Sequence, residues 1–319
     1  MDDSTTTHIL DSQIPRSFDK MSNPYRDCTS VTPQCPVSAT TYGYTPDLAS
    51  NAILAIIFGL CTLSQAALVI RYRTWAFGFA ATTGCLLECL GYIGRIMLHQ
   101  DVWNQGAFAL QLVTLIVAPS FLAAAIYLEL KALVWHFGEQ YSRLKPVLYV
   151  WIFVCSDVAC IALQAIGGGI AAGGDDKNAI DVGNDMIIAG LAIQVAVMGI
   201  CVLLAANFAF NVYKGRVVAR RAREELIKDE SSVKAFRFYV SCTCVAFLTV
   251  FIRSVYRVPE FADGWGNGLM RNELDFMLLD GMMVAIAAVL MTVGHPGIYF
   301  RARRPTDGKV QAHGEVELA

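Results

Sequence analysis

The sequence predicts an all-α, polytopic membrane protein: a bundle of seven transmembrane helices with the N-terminus outside and the C-terminus in the cytosol. Three observations predict it. The 319 residues are 55% hydrophobic and 16% charged, with mean hydropathy +0.47, a balance that belongs to an integral membrane protein. Seven apolar segments are each long enough to cross about 30 Å of hydrocarbon at about 1.5 Å per residue. Lys and Arg are distributed unevenly between the connections on the two sides of those segments.

Residues 1–46 read as an extracellular, mostly irregular tail rich in Ser, Thr, Asp and Pro. Its start, M-D-D-S-T-T-T-H, has no apolar core after it and is read as neither a secretory signal nor a mitochondrial presequence. The membrane domain spans 47–298, with segments near 48–70, 76–98, 106–130, 147–172, 186–212, 236–256 and 275–296. Gly294-His295-Pro296-Gly297 stops the last of them, and 299–319 form a cytosolic tail.

Orientation follows from the basic residues. Arg71, Arg73, Lys131, Arg143, Lys145, eight more within 214–237, and Arg301, Arg303, Arg304 and Lys309 all fall on one side. The opposite loops hold only Lys177, Arg257 and Arg271, and the 173–185 loop carries Asp175, Asp176, Asp181 and Asp185. The basic side is cytosolic. Arg220–Glu224, Arg221–Glu225 and Glu224–Lys228 have helical i,i+4 spacing, so the connection 214–235 is expected to continue helix five as a solvated charged face.

Net charge is −2, and nothing implies nucleic acid. Eight of ten cysteines lie in apolar segments, where small apolar packing is the default. Cys28 and Cys35 lie in the tail and are expected to pair if it faces an oxidising compartment, with two free thiols as the alternative. No Cys/His spacing suggests a metal, no phosphate loop suggests ATP, and no cofactor is expected. Without an internal repeat, an inverted-repeat transporter is not supported.

Charged side chains near hydrocarbon cost several kcal/mol (about 3) unless they pair or reach water, so those within the segments are the candidate site. Glu88, Tyr92 and Arg95 share a face of helix two. Gln111 lies in the outer part of helix three and Pro119 near its middle. Asp157 lies in the cytosolic half of helix four, with Gln164 and Gln194 nearer the outside on helices four and five. Arg253 and Arg257 project from one face at the end of helix six, with Glu260 following. Glu273 and Asp280, seven apart, share a face of helix seven. Singly, each glutamine reads as an interhelical hydrogen-bond partner, worth roughly 0.6 kcal/mol. Pro119 is expected to kink its helix and free a carbonyl. Together, Glu88, Asp157 and Asp280 with Arg95 and Arg253 read as the lining of a hydrated cavity. The spacing further predicts that Arg253 pairs with Asp280 or Glu88 deep inside, and Arg257 with Glu260 or Glu273 at the rim.

The segments E-C-L-G-Y-I-G-R (88–95), A-P-S-F-L-A-A-A-I-Y (118–127), D-V-A-C-I-A-L-Q-A-I-G-G-G (157–169), G-L-A-I-Q (190–194) and R-S-V-Y-R-V-P-E (253–260) occur in this order. With Glu273…Asp280 and His295-Pro296, they resemble the fungal lipid-translocating exporter family, which includes aminocholesterol-resistance and sphingoid long-chain-base resistance proteins. The resemblance covers about 48–300. Two features depart from the pattern: Pro259, where an aliphatic residue is expected, and F-M-L-L at 276–279, which lacks a tyrosine. Both would alter the external mouth.

The resemblance implies a non-enzymatic exporter of the plasma membrane or an endomembrane. It would move sphingoid long-chain bases or similar amphipathic small molecules and confer resistance to toxic amphiphiles, with membrane lipids as partners. Acids at leaflet depth would hold an ammonium while apolar helix faces leave the chain in lipid. Two alternatives stand beside it: a seven-helix receptor or sensor, although D-R-Y, N-P-x-x-Y and a helix-seven lysine are absent, and a porphyrin or haem transporter. The sequence does not specify an oligomeric state.

Overall fold

The computed structural model describes residues 28, 30–40, 42–173, 177–221, 230–262 and 271–301. Seven helices in it are long and apolar enough to cross a membrane. They are α1 (Leu48–Tyr72), α2 (Trp75–Gln100), α3 (Gln105–Phe137), α4 (Pro146–Gly173), α5 (Lys177–Arg221), α6 (Glu230–Ala262) and α7 (Glu273–Tyr299). The chain is a multi-pass membrane protein.

Helices consecutive in sequence pack side by side, and the ring closes where α1 meets α7. The third helix runs closest to the centre: 56% of its most apolar window is buried, against 28% for α1 and α4. On α1, Ile53, Ile56, Leu60 and Leu63 are exposed at helical spacing and form a face suited to lipid. The centre of α2–α3 packing depends on small residues. A Cβ on Gly94 would lie 3.1 Å from both the Ala107 carbonyl and the Gln111 nitrogen, so a side chain there would push the two backbones apart.

Local chemistry sets the helix starts. Asp47 caps α1 by accepting from the Ser50 amide at 2.8 Å, and Asn104 caps α3 by accepting from the Ala107 amide at 3.0 Å. The last helix is regular only after its first turns. Glu273–Asp275 leads into a π-helical stretch, Phe276–Met282, before regular helix resumes at Met283–Val293. Gly294 and His295 then turn the chain into a short helix, Pro296–Arg301. His295 is fully buried: its Nδ1 accepts from the Gly297 amide at 3.1 Å, which leaves Nε2–H facing the Thr74 hydroxyl at 3.4 Å. This ties the end of α7 to the start of α2.

Several expected boundaries move. Helix five starts at Lys177, so Asp181 and Asp185 are helical rather than in a loop. Helix six runs to Ala262 with Pro259 inside it, rather than ending near 256. Arg257 and Glu260 are therefore helical neighbours. Glu224, Glu225 and Lys228, the partners in the charged pairs expected after helix five, lie outside the described residues. Cys28 and Cys35 form a disulfide, and the Cys35 carbonyl accepts from the Trp103 indole at 3.3 Å. The described part of the tail thus lies against the bundle at the α2–α3 end.

Candidate functional site

The helix ends around α2, α6 and α7 enclose two linked groups of buried charge. In the deeper group, Arg253 Nε lies 2.7 Å from Asp280 Oδ1. Arg257 Nη1 lies 2.9 Å from Glu260 Oε2, and its Nε lies 3.9 Å from Asp280. All four side chains are at most 5% exposed. Arg253 also donates from Nη2 to the Leu115 carbonyl at 2.7 Å. That carbonyl is four residues before Pro119, which has no N–H to offer it. The proline therefore creates the acceptor that the arginine fills, a link between α3 and α6 that neither helix shows alone.

Glu88 faces this group from α2. It is 1% exposed, and neither carboxylate oxygen has a hydrogen-bond partner. Asp280, Arg253 and Arg257 are its charged neighbours. Glu88 and Asp280 thus share the neighbourhood of Arg253 and Arg257 with Glu260. Tyr92 stacks on Phe58 with ring centroids 5.6 Å apart. Its hydroxyl points at Gly281, where a Cβ would approach it to 2.7 Å. A glycine next to Asp280 therefore lets the tyrosine reach the charged group.

The outer group is built on Arg95, whose residue surface is fully buried. Its Nε donates to Asn51 Oδ1 at 2.8 Å, and Nη2 donates to the Tyr44 hydroxyl at 3.2 Å and to Glu273 Oε1 at 3.3 Å. The guanidinium lies over the Phe276 ring at 4.3 Å and the Tyr42 ring at 5.6 Å. The same Glu273 oxygen accepts from the Asp47 amide at 2.8 Å. Gln111 donates to the Tyr42 hydroxyl. Burial pushes the Tyr42 phenol up to about 12, against the opposing pull of Arg95, and raises Tyr44 as well. Asp47 is held below its usual value by hydrogen bonds from Ser50.

The remaining candidates lie elsewhere. Gln164 donates to Gln194 at 3.2 Å, and Gln194 donates to the Ser120 hydroxyl at 3.0 Å, forming a bridge across α4, α5 and α3. Asp157 is 3% exposed with both oxygens unpartnered, and its polar neighbour is Tyr127. The structure does not bring Asp157 to Glu88 and Asp280.

Three expectations are corrected. The expected hydrated cavity is a closed cluster, with Glu88, Arg95 and Asp280 each at most 1% exposed. The expected rim pair Arg257–Glu260 is buried, because helix six continues past it. Glu273 and Asp280 serve different partners, Arg95 and Arg253, because the π-helical stretch between them changes the register. Sequence reasoning missed Tyr42, Tyr44, Asn51 and Phe276. The only signal for the first two was a pair of tyrosines just before the cap at Asp47, in a stretch read as irregular.

A family model described as RTA1 like protein matches residues 81–303. The chain belongs to that family. It is 33% identical to the sphingoid long-chain base transporter RSB1 of Saccharomyces cerevisiae, covering 90% of this chain and 82% of that protein. It is 28% identical to the protoporphyrin uptake protein 1 of the same species, covering 66% of each chain, and 26% identical to its protein RTM1, covering 66% and 64%. No solved structure matches the chain.

Proposed function

We propose that this RTA1-like protein translocates single-chain cationic amphiphiles of the sphingoid-base type, without catalysing a reaction. The observation that carries this reading is Glu88: a buried carboxylate with no hydrogen-bond partner, set beside a second buried acid, Asp280. An uncompensated buried charge costs several kcal/mol (about 3–5), so the site favours either a proton or a cationic group. A primary ammonium supplies that charge, while its hydrocarbon chain remains among apolar helix faces. The arginines hold the neighbouring acids in place, so that Glu88 alone is available.

The closed cluster represents one end of a conformational cycle, with the Arg95–Glu273 group and Tyr42 and Tyr44 over its mouth. The N-terminal tail through residue 46 lies outside, 47–298 form the membrane domain, 299–319 lie in the cytosol, and the membrane is the plasma membrane. The similarity to RSB1 over most of both chains supports the amphiphile class over porphyrin.

The test is purified protein reconstituted in liposomes, assayed with a fluorescent long-chain base, its N-acetylated analogue and protoporphyrin. Movement of the free base, with at least tenfold less for the neutral analogue and for Glu88→Gln, supports the reading. Movement of porphyrin alone, or of nothing, overturns it.

A further inference from the structure

At the opposite end of the bundle, α3 carries a second buried carboxylate that takes no part in the cluster around Glu88. Glu129 is 2% exposed, and neither of its oxygens has a hydrogen-bond partner. The Thr243 hydroxyl, which faces it from α6, instead donates to the Tyr239 carbonyl at 3.2 Å. The carboxylate is therefore left with acceptor capacity, and the Thr243 and Tyr239 hydroxyls are its polar neighbours.

Its place in the bundle follows from the α2–α3 packing. Gly84 abuts Leu122 and the Ala118 carbonyl, while Gly91 abuts Leu115 and Thr114. Glu88 is thus level with about residue 118 of α3, and Glu129 lies about 16 Å further along the helix axis. Glu129 also lines a pocket with Thr74 and Phe77 at the start of α2, Trp135 near the end of α3, and Pro296. Lys131, in the same wall, is held over the Trp135 ring at 4.6 Å. The pocket, no larger than a water molecule in this closed state, sets aromatic and aliphatic walls over the buried carboxylate, a chemistry that matches an ammonium attached to a methylene chain once the helices part.

We propose that Glu129 is a second binding station for the ammonium group of the amphiphile, at the end of the bundle opposite the mouth covered by Tyr42 and Tyr44. The proposal rests on the translocation reading above. It gives the path two carboxylates at different depths: Glu88 midway along α2 and Glu129 toward the end of the bundle where α2 begins. Each is buried and unpartnered in the closed state.

The experiment uses the full chain in nanodiscs with a long-chain base bearing a photoactivatable diazirine in its chain, alongside the N-acetylated analogue. Labelled peptides are mapped by mass spectrometry. Expected is labelling of the segment around 128–135 by the free base, at least tenfold weaker with the neutral analogue. It should be lost in Glu129→Gln, kept in Glu129→Asp, and kept in Glu88→Gln. Labelling near 128–135 that is unchanged in Glu129→Gln, or equal for the two probes, overturns the proposal. Labelling confined to the Glu88 end overturns it and leaves the translocation reading standing, whereas labelling at neither end overturns that reading itself. A Glu129→Gln protein that does not fold assigns the carboxylate a structural role and also overturns the proposal.

Discussion

Glu88 and Arg253 sit within one cluster, yet their substitution should have opposite consequences. Glu88 has no partner to lose, so Glu88→Gln should give a folded protein with near wild-type thermal stability and little amine transport. A folded variant with full transport would remove Glu88 from the mechanism. Arg253 bonds both Asp280 and the carbonyl freed by Pro119, so Arg253→Ala leaves a buried acid and a buried carbonyl unpaired. Arg257 is as deeply buried, against Glu260 and Asp280. Each alanine variant should lose about 3–5 kcal/mol of stability, read as a collapse in folded yield during detergent size-exclusion. Adding Asp280→Ala to Arg253→Ala should restore part of it. A well-folded Arg257→Ala protein would mean that Glu260 finds another cation. The sequence identified these charges but misjudged Arg257, because the apolar segment was bounded near residue 256, short of Pro259. The structure keeps the helix going through it to Ala262.

At the scale of the element, the length of the apolar segments was enough to locate all seven helices, because each must satisfy its own backbone within hydrocarbon. The irregularities were harder to see. Pro119 predicted a freed carbonyl, but only the folded chain shows Arg253 occupying it. The π-helical Phe276–Met282 has no marker in composition, so the seven-residue spacing of Glu273 and Asp280 was misread as a shared face. Pro119→Ala tests the coupling. The alanine restores an N–H to the Leu115 carbonyl, which Arg253 must then share. Folded yield should be maintained while transport falls severalfold; unchanged transport would show that the α3–α6 link is only structural. The segment before α1 carries its own signal. Tyr42 in place has its phenol raised from 10.0 to about 12 by burial, so folding disfavours the phenolate. Docking of this segment contributes fully below pH 10 and should weaken as pH rises from about 10 to 12. Tyrosinate absorbance of wild type against Tyr42→Phe should show one late-titrating phenol. A Tyr42 that ionises near pH 10 would mean that the segment is undocked in solution.

For the whole molecule, the two charged groups, the capped mouth and the pocket at Glu129 acquire a direction only once the chain is oriented in its membrane. Seventeen Lys and Arg residues assigned to one side, against three in the opposite loops and three more in the tail, argue that α1 enters from outside. A Cys28–Cys35 disulfide fits that assignment, since thiols are kept reduced in the cytosol. Both cysteines lie at the end that carries Tyr42, Tyr44 and Arg95, so one experiment orients the site together with the chain. Intact cells are treated with a membrane-impermeant reductant and then an impermeant maleimide. The wild type should gain label that Cys28→Ser with Cys35→Ser does not, and omission of reductant should abolish it. The remaining cysteines lie within the spans and should contribute only a constant background. Equal labelling of wild type and double variant on intact cells, with a difference appearing only after permeabilisation, would place the tail in the cytosol. The mouth over Arg95 would then face inward and the Glu129 pocket outward, reversing the order in which an amphiphile meets the two carboxylates.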